Sequence, residues 1–94
     1  MSAANYDISR FFDKEGCLKI WPSKKEMQNK VLEYISGQFE NKIIYTEKEV
    51  NSRLKTLSAS VDYALLRREL YNNNFFDREK DGSKYWLKKP NSHY

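Results

Sequence analysis

The segment LLRRELYNNNFFDREKDGSKYW, residues 65–86, indicates the fold class because it joins a helical pattern directly to a β-hairpin pattern. Leu66 and Leu70 stand four residues apart, which places them on one face of a helix and predicts that this face is buried. The run of asparagines ends the pattern, and Asn74 suits the left-handed conformation that follows many helix C-termini. We therefore expect a helix over residues 61–73.

Two β-rich runs surround a Lys-Asp-Gly-Ser turn in the second half of the same segment. Asp81 followed by Gly82 is a strong hairpin signal, because glycine adopts a positive φ without a steric cost. Neighbouring strand residues face opposite ways, so one of Tyr85 and Trp86 should enter the core while the other faces a partner. The sequence thus predicts a two-stranded C-terminal hairpin.

The sequence TEKEV, further upstream, carries the start signals of another helix. Thr46 and Glu49 have the spacing of a capping box, in which each side chain accepts a hydrogen bond from the other residue's backbone N–H. Tyr45 before the cap and Val50 after it match a hydrophobic staple. A short strand is expected at residues 43–45. The buried face of this helix is expected to contain Val50, Leu54 and Leu57.

The other two helices also have start signals. Ser23 followed by Glu26 predicts a capping box for the first helix. Ser60 or Asp62 can cap the third helix, since either supplies an oxygen to a free backbone N–H. The apolar stripe predicted for the first helix consists of Met27, Val31, Leu32, Ile35 and Phe39.

Before the first helix, the chain predicts a short helical turn, a turn at DKEG, and a strand at residues 17–21 that Pro22 ends. From the first helix on, the order of elements is helix, short strand, helix, helix and two-stranded hairpin. This order predicts an α+β fold, a single winged helix-turn-helix-like domain over residues 1–94. It has three main helices, short N-terminal strands and a C-terminal two-stranded wing hairpin. Residues 1–9 and 90–94 are expected to be frayed.

The composition restricts the class of protein to which this chain can belong. A chain of 94 residues supports one modest core and is too short for a second. The net charge of +4 is mild, and by itself it favours a solvated face over a large nucleic-acid patch. No apolar run approaches the roughly 20 residues that cross a bilayer, and the N-terminus lacks a signal-peptide pattern. Cys17, the single cysteine, cannot form an internal disulfide, so we expect a cytoplasmic protein without a membrane partner.

Four blocks of the chain resemble, in order, those of the bacterial domain-of-unknown-function 2087 family. They are FFDKEGCLKIWPSKKEMQNKVLEYISGQF, YTEKEVNSRL, DYALLRREL and FFDREKDGSKYW, and the resemblance runs from about Arg10 to Trp86. YTEKEVN and LRREL are the more specific parts. Members of that family occur alone or attached to a helix-turn-helix regulator domain, so the resemblance implies a link to transcription control. Cys17 stands where many relatives have a basic residue and Asn74 where glycine is common. We expect this chain, which has no attached regulator domain, to act alone or through a partner.

The third helix supplies candidate DNA contacts. Arg68 points nearly opposite the buried leucines, where its guanidinium can reach a guanine edge or a phosphate, or can make a surface ion pair. Arg67 lies in a stripe with Tyr63 and Tyr71, four residues before and after it. The stripe has two interpretations: an arginine held between rings that stack on bases, or an arginine that stacks on its own tyrosines in a structural role.

The hairpin supplies a second set of candidate contacts. Arg78, Lys80 and Lys84 are cations of the kind that touch backbone phosphate without reading sequence. Acidic residues alternate with them, which is also typical of a charge-mixed edge that prevents strand pairing. The interrupting residues are Asp77, Glu79 and Asp81.

Catalysis has little support in the sequence. His93 is the only histidine and lies in the tail, so it makes no credible nucleophile–base pair with Cys17. No metal-ligand spacing and no glycine-rich phosphate loop occurs. We therefore expect a protein that is not an enzyme, with no cofactor and no metal.

The expected function is a DNA-binding or transcription-associated one, with double-stranded DNA as the partner. The third helix would enter the major groove and the hairpin would lie on the phosphate backbone. The alternative is a protein–protein interaction module, whose interface would use the aromatic residues of the hairpin and of the N-terminal segment, Tyr6, Phe11 and Phe12. A homodimer is left open.

Overall fold

The computed structural model describes residues 8–88. A 3-10 helix (Ser9–Phe11) is followed by α1 (Lys25–Ser36), β1 (Tyr45–Thr46), α2 (Glu47–Leu57), α3 (Tyr63–Asn72), β2 (Phe76–Arg78) and β3 (Lys84–Leu87). The fold is therefore α+β, with three main helices and a C-terminal hairpin. This order is compatible with a winged helix-turn-helix. Within the described range, no helix is both long enough and apolar enough to cross a membrane.

Helix α1 buries the face that its sequence predicts, but it begins differently. Its N-cap is Lys24, and no side chain caps it. The capping box predicted at Ser23 and Glu26 is therefore wrong. The backbone N–H of Gln28 donates to the carbonyl of Lys24 at 2.9 Å, so the first helical bond starts one residue after Ser23. That shift moves Glu26 out of the third helical position, where a reciprocal bond forms.

Helix α2 begins at the predicted capping box. The N–H of Glu49 donates to Oγ1 of Thr46 at 3.1 Å, and the N–H of Thr46 donates to Oε1 of Glu49 at 2.8 Å. Tyr45 and Val50, the predicted staple pair, are both buried in the core. The two reciprocal bonds satisfy amides that a helix start otherwise leaves without partners.

Helix α3 is capped at both ends as predicted. Oδ1 of Asp62 accepts the N–H of Ala64 at 3.0 Å. At the other end Asn74 has φ 69, and two bonds close a Schellman motif: Phe75 N–H to the Leu70 carbonyl at 2.9 Å, and Asn74 N–H to the Tyr71 carbonyl at 3.1 Å. The left-handed residue turns the chain sharply from α3 into β2, which brings the hairpin back beside the helix.

The three strands form one antiparallel sheet in the order β1-β3-β2. Tyr45 pairs with Tyr85, and Arg78 pairs with Tyr85 from the other side, so β3 is the central strand. The strand predicted at residues 43–45 is displaced to Tyr45–Thr46. Lys42 has φ 66 and lies in a turn just before this strand.

The strand predicted at residues 17–21 is reduced to isolated bridges at Leu18, which pairs with Phe12 and with Ser58. The N–H of Leu18 donates to the Leu57 carbonyl at 2.7 Å, and its carbonyl accepts the N–H of Ala59 at 2.8 Å. Its backbone partners thus lie mainly in the α2–α3 connection. Because no long strand runs alongside, the pairing stops after one residue.

The core lies between the three helices and the inner face of the sheet. Leu66 and Leu70 of α3 are fully buried, as predicted, and Tyr85 is the buried member of the Tyr85–Trp86 pair. Phe11, expected in an exposed interface, is also buried. Its 3-10 helix turns it inward, and its carbonyl accepts the N–H of Lys19 at 2.8 Å. The core residues are Phe11, Leu18, Val31, Leu32, Ile35, Phe39, Tyr45, Val50, Leu54, Leu66, Leu70, Phe76 and Tyr85.

Candidate nucleic-acid interface

Arg68 occupies the solvent face of α3. Leu66 and Leu70 have no exposed surface, whereas Arg68 is exposed. Its guanidinium forms no hydrogen bond or ion pair with any residue between 8 and 88. An arginine on a rigid helix without an internal partner keeps all five of its donors for an external group.

Arg67 is held by α2 and not by its neighbouring tyrosines. Nη2 of Arg67 lies 3.4 Å from Oε2 of Glu47, and Nη1 donates to Oδ1 of Asn51. The stacking of Arg67 between Tyr63 and Tyr71, which the sequence spacing suggested, is therefore wrong. Helix α2 packs alongside α3 and offers two polar side chains, which satisfy the guanidinium better than ring faces do.

Other cations lie over the rings of the two tyrosines of α3. Nζ of Lys55 lies 4.9 Å from the centre of the Tyr63 ring. The guanidinium carbon of Arg78 lies 4.5 Å from the centre of the Tyr71 ring. Each contact joins α3 to another element, since Lys55 belongs to α2 and Arg78 to β2. The sequence spacing missed both pairs, because neither is a helical i, i+4 pair.

Arg78 connects the hairpin to α3. Hydrogen bonding with Tyr71, and secondarily with Tyr85, raises the pKa of Arg78 above its ordinary value. A Cβ on Gly82, which has φ 76, would lie 3.3 Å from Nη1 of Arg78. Glycine at the hairpin turn therefore leaves room for the guanidinium as well as providing the positive φ.

Lys80 and Lys84 flank the hairpin turn and are exposed. Neither forms an ion pair with another residue of the described part of the chain. Asp81 supports the turn: its Oδ1 accepts the hydroxyl of Ser83 at 2.7 Å and the N–H of Ser83 at 3.0 Å. These bonds lower the pKa of Asp81 below its ordinary value of 3.8.

Several acidic residues near the candidate surface serve local structure. Oε1 of Glu69 accepts the amide N–H of Asn73 at 3.0 Å, and Oδ1 of Asp77 accepts the N–H of Arg78 at 2.9 Å. Together with the caps and the turn, these bonds explain most of the acidic residues of this region without a partner molecule. Five residues remain as the α3–wing surface: Arg68, Tyr71, Arg78, Lys80 and Lys84.

The remaining candidate residues lie elsewhere. Phe12 makes an edge-to-face contact with Tyr34, with ring centres 5.2 Å apart. Sγ of Cys17 contacts the carbonyl of Thr56 at 3.3 Å. Tyr6 and His93 lie outside the described residues. Between residues 8 and 88, no three His, Cys, Asp or Glu side chains come together as a metal site.

Comparison with other proteins gives one match at the level of a family. No curated protein and no solved structure matches the chain. The profile of a bacterial family described as "Uncharacterized protein conserved in bacteria (DUF2087)" matches residues 17–87, which include all three helices and the hairpin. The chain therefore belongs to the DUF2087 family.

Proposed function

We propose that the protein binds double-stranded DNA through the α3–wing surface and acts in transcription control without catalysis. The observation that carries the proposal is the pairing of Arg78 with Tyr71, 4.5 Å from guanidinium carbon to ring centre. This contact holds a hairpin cation beside the helix that bears Arg68, which pairs with no residue between 8 and 88. Two guanidinium groups, from different elements, thus lie on one surface.

The residues of this surface have distinct roles in the proposal. Arg68, on the solvent face of α3, meets a guanine edge or a phosphate in the major groove. Lys80 and Lys84 lie on the wing and touch backbone phosphate, which positions the protein without reading sequence. Arg78 adds positive charge between helix and wing.

Tyr63 and Arg67 have structural roles in this proposal. Arg67 is bonded to Glu47 and Asn51, so its donors are already used. It fixes α3 against α2 and thereby orients the helix that carries Arg68. Tyr63 is covered in part by Lys55.

A DNA partner also requires a cytoplasmic location, which cell fractionation would check.

Fluorescence anisotropy with mixed-sequence duplexes at two salt concentrations tests the proposal. We expect Arg68→Glu to weaken binding at least tenfold and to flatten the salt dependence, because one phosphate-directed charge is reversed. Lys84→Glu should weaken binding to all sequences alike. Lys14→Glu, the same charge change on an exposed residue of the N-terminal turn, is the matched control and should have a smaller effect.

Thermal denaturation of each variant separates binding from folding. Arg68 is exposed, so Arg68→Glu should change the free energy of unfolding by less than about 0.5 kcal/mol. The proposal is overturned if the parent protein binds duplexes without salt dependence. Equal loss of binding in Arg68→Glu and Lys14→Glu would also contradict it, because net charge alone would then explain the effect.

A further inference from the structure

The outer face of the sheet carries an apolar groove that is separate from the α3–wing surface. Tyr85 of the central strand is buried, so Trp86, its neighbour, faces away from the core. The groove has a volume of about 490 Å³, within the range of about 300–1,000 Å³ for sites that accept small ligands or side chains. Its main lining residues are Lys42, Ile44, Glu79, Trp86, Leu87 and Lys88.

The floor of this Trp86 groove is unusually apolar for a solvent-facing surface. Ile44, which lines the groove, is 61% exposed. Trp86 and Leu87 are half-buried and extend the same surface. Ile44, Trp86 and Leu87 form a patch, and an exposed apolar patch with a polar rim marks an interaction site more often than scattered residues do.

Two lysines mark one end of the groove. Lys42 precedes β1 and Lys88 follows β3, and since these strands are antiparallel both lysines lie at the same end of the sheet. Lys42 adopts φ 66, a conformation that lysine seldom takes, and both lysines line the groove. Nζ of Lys88 donates to the neutral Oδ1 of Asn74 at 3.4 Å, so no carboxylate neutralises it there. The two lysines give this end of the groove the positive charge that suits an anionic group.

The opposite end of the groove carries an acidic residue. Glu79 lines the groove near the hairpin turn, and its N–H donates to the carbonyl of Lys84 at 3.0 Å. Asp77 pairs with Trp86 across the two strands and so shares its face of the sheet. Lys84 shares this face of β3 with Trp86, so the turn end is charge-mixed, whereas the end at Lys42 and Lys88 is basic. The carboxylates of Asp77 and Glu79 on this face disfavour the uniformly anionic backbone of a nucleic acid.

We propose that the Trp86 groove binds an extended, acidic and apolar segment of a partner protein. An apolar side chain of that segment packs on Ile44 and Trp86. One or more of its carboxylates lie between Lys42 and Lys88. The bound segment is thus defined by complementarity to the groove: its apolar side chain matches the apolar floor, and its carboxylates match the basic end. The groove shares no residue with the α3–wing surface, and Lys84 of that surface lies two residues from Trp86 on the same face of β3.

Tryptophan fluorescence tests the site directly. Trp21 and Trp86 are the only two tryptophans, so Trp21→Phe leaves Trp86 as the single reporter. The probe is a short synthetic peptide in which Asp and Glu alternate with Leu and Phe. We expect saturable binding that changes the Trp86 emission. Control peptides replace the acidic residues by Lys or the apolar residues by Ser, and they should bind at least tenfold more weakly.

Charge variants locate the peptide in the groove. In the same Trp21→Phe background, Lys42→Glu and Lys88→Glu should each weaken peptide binding at least tenfold. Lys42→Asn removes the charge while suiting the left-handed backbone, so a loss of affinity in that variant cannot be blamed on strain. Arg68→Glu is the matched control at the α3–wing surface and should leave peptide affinity unchanged.

The outcomes separate the two proposals. The groove proposal is overturned if the acidic peptide leaves the Trp86 emission unchanged, or if Lys42→Glu and Lys88→Glu bind it like the parent. It is also overturned if duplex DNA competes with the peptide and changes the same emission, since the groove would then belong to a nucleic-acid surface. Absence of DNA binding together with saturable, lysine-dependent peptide binding would remove the DNA proposal and support this one.

Discussion

Arg78 of β2 lies over the ring of Tyr71 of α3, with its guanidinium carbon 4.5 Å from the ring centre. The two residues are separated by the left-handed Asn74, which reverses the chain between helix and sheet. A two-stranded hairpin is only marginally stable by itself, so contacts with a helix decide how firmly the wing is held. The Arg78–Tyr71 pair thus makes the helix and the wing one surface.

Removing the Tyr71 ring should loosen the wing. We expect Tyr71→Ala to lower the free energy of unfolding by about 0.5–1 kcal/mol, the range of an exposed cation–π contact. Tyr71→Leu is the matched control, because it removes the ring but keeps an apolar side chain. We expect it to lose less free energy of unfolding than Tyr71→Ala, and the difference between the two variants measures packing alone. Denaturant melts give the energies, and amide hydrogen exchange at residues 76–87 should quicken. Unchanged exchange would show that the wing is held by other contacts.

The start of α2 should depend on its capping box, whereas the start of α1 should not depend on Ser23. Thr46→Ala should cost about 1 kcal/mol, because the N–H of Glu49 loses its acceptor. Ser23→Ala is the matched control, and we expect no measurable change since α1 has no side-chain cap. Denaturant midpoints compare the two variants. Equal effects would mean that the helix starts differ from those described.

Leu66→Ala and Leu70→Ala test the orientation of α3. Both side chains are fully buried, so each truncation should cost about 2–5 kcal/mol, a large part of the stability of a small domain. Ala64→Ser, at a half-buried position of the same helix, is a control for small changes on α3. Chemical denaturation measures all three variants. Parent-like melts for both leucine variants would require a rotated helix and would remove the exposure of Arg68.

Lys42→Asn should stabilise the protein. A left-handed backbone costs most L-residues about 1–2 kcal/mol, and asparagine tolerates it better than lysine does. We expect a gain of about 0.5–1 kcal/mol in the free energy of unfolding. Lys48→Asn, at an exposed position within α2, makes the same exchange where asparagine has no such advantage, and it should not stabilise. A lower denaturant midpoint for Lys42→Asn would contradict the assigned conformation.

The stability of the hairpin turn should depend on pH through the protonation of Asp81. Its bonds with Ser83 lower its pKa in the folded state below 3.8, so the folded protein holds this proton less tightly than the unfolded chain. The stabilisation is therefore present above pH 3.8 and is lost as the pH falls through the lower, folded-state pKa. Asp81→Asn should lower the melting temperature at neutral pH, and the difference from the parent should shrink in acid. A difference that stays constant with pH would exclude this linkage.

Local patterns in the sequence predicted the elements whose partners are close in the chain. The box at Thr46 and Glu49, the cap at Asp62 and the left-handed Asn74 each depend on bonds within a few residues, so short motifs suffice to find them. Helical spacing likewise identified Leu66 as buried, because a period of 3.6 residues assigns a face without knowledge of the neighbours. The exposed face of Arg68 follows from the same geometry.

The long-range contacts were decided by tertiary structure. Nothing within α3 indicates that Arg67 bonds Glu47 and Asn51, or that Tyr71 receives Arg78. Those partners lie on other elements, and their distance depends on how the helices and the hairpin pack. The same is true of the Trp86 groove, which forms only when β1 and β3 pair.

The sequence by itself determined where the helices and the hairpin form, which face of α3 is buried and which is left to solvent. Those properties arise from hydrogen bonds and side-chain periodicity within single segments. Tertiary structure alone decided which charged groups are used internally and which remain available. Arg67 is paired because a neighbouring helix offers it a carboxylate, whereas no carboxylate in the described residues, 8–88, pairs with Arg68.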